Sequence, residues 1–191
     1  MRASLTLANA LTLSRLALAP VFLWLYVSGD LVRALAAFAA AAATDVLDGL
    51  VARALDQRTR LGEILDPIAD KTLAACALFA LASRENVPMW LPVLAVTRDA
   101  AQLLGAAALK SAGRVVSVEP TLIGKYATFL LAAVVVTALA AEYGGVERAA
   151  AGPYVAALSL LAAECLLVSW AQYFRAFLRT VRSRPIPATT L

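Results

Sequence analysis

Histidine is absent from the 191 residues, and cysteine occurs only twice, at Cys76 and Cys165. The first absence excludes His-based triads, His proton relays and His-rich metal sites, so any chemistry has to run on carboxylates, cations, hydroxyls and bound metal. The second excludes a disulfide framework, since both cysteines sit inside apolar stretches and read as small packing residues. Charge is scarce too. Charged residues make up 16% of the chain and apolar ones 62%, whereas a soluble domain carries about 25% and about 45–50%. An ordinary cytosolic enzyme is therefore excluded. The cations are not interleaved with exposed aromatics as a single-strand binder requires, which excludes nucleic acid as a partner.

What is present is apolar sequence in an amount close to the needs of six membrane-spanning helices of about 20 residues each. Six runs separate at short polar breaks: Leu11 to Val27, Leu31 to Ala54, Gly62 to Ser83, Val87 to Leu109, Leu122 to Tyr143 and Pro153 to Phe174. The breaks carry turn residues: Ser28-Gly29-Asp30, Arg84-Glu85-Asn86 before Pro88, Gly113 and Pro120, Gly144-Gly145 and Gly152-Pro153. The expected fold is an all-α integral membrane protein, six transmembrane helices in one bundle forming a single domain over residues 1–191, with Leu5 to Ala10 lying along the surface. The first run does not read as a signal peptide, because Arg15 interrupts its first half and Pro20 leads into more apolar sequence.

Orientation follows from the cations. A cytoplasmic N-terminus puts Arg2, Arg53, Arg58, Arg60, Lys110, Arg114, Arg175, Arg179, Arg182 and Arg184 inside, against Arg33, Arg84 and Arg148 outside. That asymmetry is the positive-inside pattern and sets both termini in the cytoplasm. The basic tail from Arg175 to Arg184 is placed to touch anionic lipid headgroups. Trp24, Tyr26, Trp90 and Trp170 are expected in interfacial belts.

Four carboxylates interrupt this pattern. Asp45 and Asp48 end the second run, and Asp66 and Asp70 open the third; at a helix centre each costs about 2.5–3.5 kcal/mol by insertion scales. Their spacings, i to i+3 and i to i+4, project each pair from one face of its helix. The short connection from Arg53 to Leu61 makes the two helices antiparallel neighbours, so the carboxylate faces can meet. Converging carboxylates repel one another and take up protons, whereas hard divalent ions favour dense oxygen ligands. A Mg2+ or Mn2+ site of two ions satisfies them. Asp–Arg pairs with Arg53, Arg58 and Arg60 would also do so, and a proton or cation transporter uses intramembrane carboxylates as well. Gly49, Ala52 and Gly62 leave room beside the carboxylates, although small residues also serve close helix packing. Arg53 offers a fork of donors suited to phosphate. Carboxylates, metal, small residues and an arginine together point to phosphoryl transfer.

Written out, the segment is Asp45-x-x-Asp48-Gly49-x-x-Ala52-Arg53, then eight residues, then Gly62-x-x-x-Asp66-x-x-x-Asp70. It resembles the signature of the CDP-alcohol phosphotransferase family, complete at every fixed position, and six spans with the motif across the second and third match that family's architecture. The resemblance implies that Asp45, Asp48, Asp66 and Asp70 hold the metal, that Gly49, Ala52, Arg53 and Gly62 hold the CDP moiety, and that Asp70 is the general base. It implies a homodimer. It also implies a site at the cytoplasmic face, expected in the bacterial inner membrane, where a nucleotide arrives from water while lipid tails stay in the bilayer.

Lys71, directly after Asp70, resembles the branch whose donor is CDP-diacylglycerol and whose acceptor is a glycerol-type alcohol. Thr97-Arg98-Asp99 and Pro120-Thr121-x-x-Gly124-Lys125 look like phosphatidylglycerophosphate synthases and, more closely, cardiolipin synthases. Arg98 and Lys125 are then the acceptor-binding cations, unless Arg98 pairs with Asp99 or Glu164 and Lys125 snorkels. One departure bears on the acceptor. Where synthases using small phosphorylated acceptors usually carry a further cation, this chain has Ala106 and delays it to Lys110, which favours phosphatidylglycerol over glycerol 3-phosphate. Asn9, Thr12 and Arg15 resemble the family's first-span pattern and can face the donor, unless Asn9 and Thr12 cap or pack; their roles, and that of Arg114, stay open.

Overall fold

The computed structural model describes residues 7–54, 60–112 and 121–182, with side chains described except at 7, 8, 45–54, 60, 61, 63, 64, 110 and 182. All regular structure among the described residues is helical: α1 (Leu7–Val27), α2 (Leu31–Ala54), α3 (Arg60–Ser83), α4 (Trp90–Ser111), α5 (Leu122–Tyr143) and α6 (Arg148–Arg182). The chain forms two compact units, Met1–Met89 and Trp90–Leu191.

In the first unit α1 packs against both α2 and α3. Its buried residues run Asn9, Thr12, Arg15, Ala19, Phe22 and Tyr26, steps of three and four that make one continuous stripe. The first half of the stripe is polar and the second apolar. The turn to α2 uses Gly29 at φ 87°, a left-handed conformation that glycine adopts without a Cβ clash. Asp30 then accepts from the backbone N–H of Arg33 at 3.2 Å, capping α2. At the far end, fully buried Tyr26 packs its ring tilted against Phe22 at 5.7 Å, lies under the Arg84 guanidinium at 5.6 Å and accepts from Asn86 Nδ2 at 3.0 Å. Tyr26 is therefore a core residue tying α1 to the end of α3, not a member of an interfacial belt; Trp24, Trp90 and Trp170 are exposed.

In the second unit α6 packs against α4 and α5. Thr121 caps α5 in an extended conformation, its hydroxyl accepting from Gly124 N–H. Tyr173 of α6 donates to the backbone carbonyl of Gln102 at 2.9 Å, and Gly105 makes the approach possible. A Cβ there would lie 2.5 Å from the Tyr173 hydroxyl.

The second and fifth apolar runs match α2 and α5 end to end. α1 takes in Leu7 to Ala10 without a break, so this part of the expected surface segment belongs to the first long helix. α6 starts five residues before Pro153 and runs through it, so the ring gives up one backbone hydrogen bond in the second turn. It continues through Arg175 and Arg179, so the basic tail is helical that far. Among the described residues, three segments are long and apolar enough to cross a membrane: Asn9–Val27, Leu122–Tyr143 and Arg148–Val181. The described side chains of α2 include an apolar stretch, Leu31–Thr44.

Candidate active site

On α3, Gly62 is buried while Asp66 and Asp70, at successive four-residue steps, are exposed. Each carboxylate is met from behind by α1. Thr12 Oγ1 donates to Asp66 Oδ1 at 2.8 Å, and the Arg15 guanidinium donates to Asp70 Oδ1 in an ion pair. The donors are 1% exposed, whereas the Asp70 side chain is 57% exposed. α1 thus forms the buried floor and the carboxylates the open side. The contacts also fix direction: Thr12 with Asp66, Arg15 with Asp70 and Tyr26 with Asn86 all advance together, so α1 and α3 run parallel.

α2 returns antiparallel along α1 after the three-residue turn. At 1.5 Å per residue, Asp45 lies about 21 Å from the start of α2, and Thr12 about 22 Å from the end of α1. The backbones of Asp45 and Asp48 are therefore level with the polar half of the α1 stripe. The side chains of Asp45, Asp48, Gly49, Ala52 and Arg53 lie outside the described ones, and so does Arg114 as a whole. Among the described residues no three metal-ligating side chains cluster. The described donor set nevertheless suits a divalent ion: two exposed, hydrogen-bonded carboxylates one helical turn apart, offering hard oxygen ligands. A buried arginine at helix depth is expensive, and its pairing with Asp70 offsets the burial of the charge.

Thr12 and Arg15 are the neighbours of the motif carboxylates that spacing alone leaves without a partner to meet. Their signal was visible, as polar residues at three-residue intervals in an apolar run. Nothing local says which carboxylate each would meet.

The second unit places Arg98 and Gly124 at one corner. Arg98 on α4 is 8% exposed; its guanidinium donates to Asp99 Oδ1 at 2.8 Å and to Ser169 Oγ of α6 at 2.7 Å. Its buried Nε has no hydrogen-bond partner. Of the two carboxylates available to it by sequence, Asp99 makes the pair and Glu164 is exposed. The first turn of α5 comes close: a Cβ on Gly124 would lie 3.3 Å from Arg98 Nη2 and 3.2 Å from Ser169 Oγ. Lys125, one residue on, is exposed. Ser169 is the member of this corner that sequence reasoning did not find, because a serine in an apolar helix carries no distinguishing signal.

Several known proteins are similar to this chain. A protein from Streptomyces coelicolor named cardiolipin synthase (CMP-forming) is 35% identical over 133 residues, covering 66% of this chain and 61% of that protein. A probable phosphatidylglycerophosphate synthase from Mycobacterium tuberculosis is 46% identical over 99 residues, 49% of this chain and 47% of its own. A CDP-diacylglycerol--glycerol-3-phosphate 3-phosphatidyltransferase from Aquifex aeolicus is 34% identical over 125 residues, 64% of this chain and 69% of its own. The match covers less than half of the mycobacterial relative, and only 32% of a human cardiolipin synthase (CMP-forming). The family model for CDP-alcohol phosphatidyltransferases matches residues 5–174, which takes in the carboxylate motif, the α1 floor and the Arg98 corner: the chain belongs to the CDP-alcohol phosphatidyltransferase family.

Proposed function

We propose that this protein transfers a phosphatidyl group from CDP-diacylglycerol to a glycerol-type alcohol, with a divalent metal as cofactor and CMP as the leaving product. The observation that carries the reading is the complete eight-residue motif on α2 and α3, two of whose carboxylates are held on one face by Thr12 and Arg15. The names of the relatives support it.

In this reading Asp45, Asp48, Asp66 and Asp70 hold Mg2+ or Mn2+, two ions in all. When bound, the ions supply neutralisation of the donor's pyrophosphate and of the charge that develops on CMP. Gly49, Ala52 and Gly62 leave space for the CDP moiety, and Arg53 pairs with its phosphates. The acceptor hydroxyl attacks the β-phosphorus as Asp70 takes its proton; the bond from that phosphorus to the bridging oxygen breaks, and the electron pair departs with CMP. No covalent enzyme intermediate is needed.

Arg98 and Lys125 are assigned to the acceptor's phosphate. Asp99 already offsets the Arg98 charge, so this corner suits a singly charged phosphodiester better than a phosphate monoester. Phosphatidylglycerol, giving cardiolipin, is the preferred acceptor for that reason. Glycerol 3-phosphate, giving phosphatidylglycerophosphate, is the second reading, favoured by the names of the Mycobacterium and Aquifex relatives. The chain is further proposed to act as one domain of six membrane spans with both termini in the cytoplasm, in a bacterial inner membrane, with its site at the cytoplasmic face, and as a homodimer.

Purified protein given Mg2+ or Mn2+, CDP-diacylglycerol and both acceptors in competition should release CMP, lose that activity with EDTA and form cardiolipin. Phosphatidylglycerophosphate as product would replace the acceptor assignment. Silence with every acceptor, combined with ion flux in liposomes, would replace the enzyme by a transporter; CDP binding without turnover would leave a nucleotide-binding bundle.

A further inference from the structure

We infer that Thr12 and Arg15 of α1 are positioning residues for this site, Thr12 setting the carboxylate of Asp66 and Arg15 that of Asp70, with opposite effects on a bound cation. The inference rests on the reading of Asp66 and Asp70 as metal ligands. Both donors are 1% exposed and occupy the stripe that, further along the same helix, is filled by Ala19, Phe22 and Tyr26. An apolar residue would suit a buried position on a packed helix better, unless the polar group has a partner to hold. Each has one, and each partner is a different motif carboxylate. The parallel run of α1 and α3 is pinned again by Tyr26 and Asn86, so the donors cannot slide along α3 without breaking the far end. α1 therefore sets the orientation of ligands that belong to another helix.

The two donors differ in charge. The Thr12 hydroxyl is neutral: it fixes one oxygen of Asp66 while the carboxylate keeps its full charge for a cation. The Arg15 guanidinium fixes Asp70 and also opposes a cation there. Removing the hydroxyl should weaken cation binding, whereas removing the Arg15 charge should strengthen it while leaving Asp70 misplaced for proton transfer. A packing role alone cannot give effects of opposite sign.

The test uses the full chain in lipid nanodiscs, with Mn2+ binding read by electron paramagnetic resonance and CMP release followed in parallel. Thr12→Val, close in shape but without the donor, should weaken Mn2+ binding about tenfold, and Thr12→Ser should recover it. Arg15→Gln should tighten Mn2+ binding about threefold, yet lower kcat about tenfold with the donor KM little changed. Native Mn2+ affinity in Thr12→Val, or weakened affinity in Arg15→Gln, overturns the inference. If Arg15→Gln does not fold, Arg15→Lys takes its place: it keeps the charge and loses the planar fork, so kcat should fall at unchanged Mn2+ affinity, and weaker Mn2+ binding there overturns the inference. Should the native protein release no CMP with any acceptor, the reaction reading fails, and the Mn2+ shifts still decide the positioning roles.

Discussion

Replacing Ser169 by alanine removes one of the two hydrogen bonds that hold the Arg98 guanidinium. The bond is buried and 2.7 Å long, Arg98 is 8% exposed, and Nε has no partner to begin with. After the change Asp99 alone orients the group. A hydrogen bond to a charged group is worth about 1.5–3 kcal/mol, which is about 10- to 150-fold in an equilibrium constant. Because Asp99 keeps its hold at 2.8 Å, the shift should fall near the lower end, and the acceptor KM should rise about tenfold with the CDP-diacylglycerol KM unchanged. Gly124→Ala reaches the same guanidinium from α5 and should move the acceptor KM in the same direction, since its Cβ would press on Nη2 and on Ser169 Oγ. Ser159→Ala is the control. That hydroxyl is also buried, but it donates only to the Val155 carbonyl of its own helix. The assay is CMP release with the acceptor titrated at saturating donor, alongside thermal unfolding of each variant. Equal shifts in both KM values, or a lower unfolding temperature with an unchanged acceptor KM, would refute the assignment of Arg98 to the acceptor and return it to the fold.

Asp66→Asn should weaken Mn2+ binding itself, whereas Asp70→Asn should suppress turnover and leave more of the CDP binding intact; near-normal turnover of Asp70→Asn at saturating metal would remove the general-base role. Tyr26→Phe should destabilise the first unit by about 1 kcal/mol through loss of the Asn86 hydrogen bond, and Tyr26→Ala by about 3–5 kcal/mol, both read by equilibrium unfolding in detergent. Gly105→Ala should cost about 1–3 kcal/mol through overpacking against Tyr173. Part of that loss should return in the double variant with Tyr173→Phe, which lacks the oxygen in the way.

The helices were legible because their signals are local. An apolar run long enough to form several turns, closed by Gly29, by Arg84-Glu85-Asn86 or by Gly144-Gly145, specifies a helix and its end with no knowledge of neighbours. The carboxylate motif was legible for the same reason: Asp66 and Asp70 share a face of α3 by spacing alone. Boundaries were less so. Pro88 delays α4 to Trp90, while Pro153, near the start of α6, does not delay that helix. One proline permits either outcome, and the contacts of the turn before it decide.

What only the tertiary structure decided is which residues meet across the chain. Sequence alone determined that Tyr26 is amphipathic and that Arg15 and Arg98 are cations in apolar helices, and each property fits more than one environment. Packing put Tyr26 in the core rather than at an interface, gave Arg98 to Asp99 and Ser169, and set Thr12 and Arg15 beneath Asp66 and Asp70. These partners lie 54 to 71 residues apart, apart from Asp99 beside Arg98. Helical periodicity says which face a side chain occupies and nothing about what stands opposite it. Only the packing of α1 on α3, and of α4 and α5 on α6, turns those faces into a floor for carboxylates and a corner around a buried guanidinium.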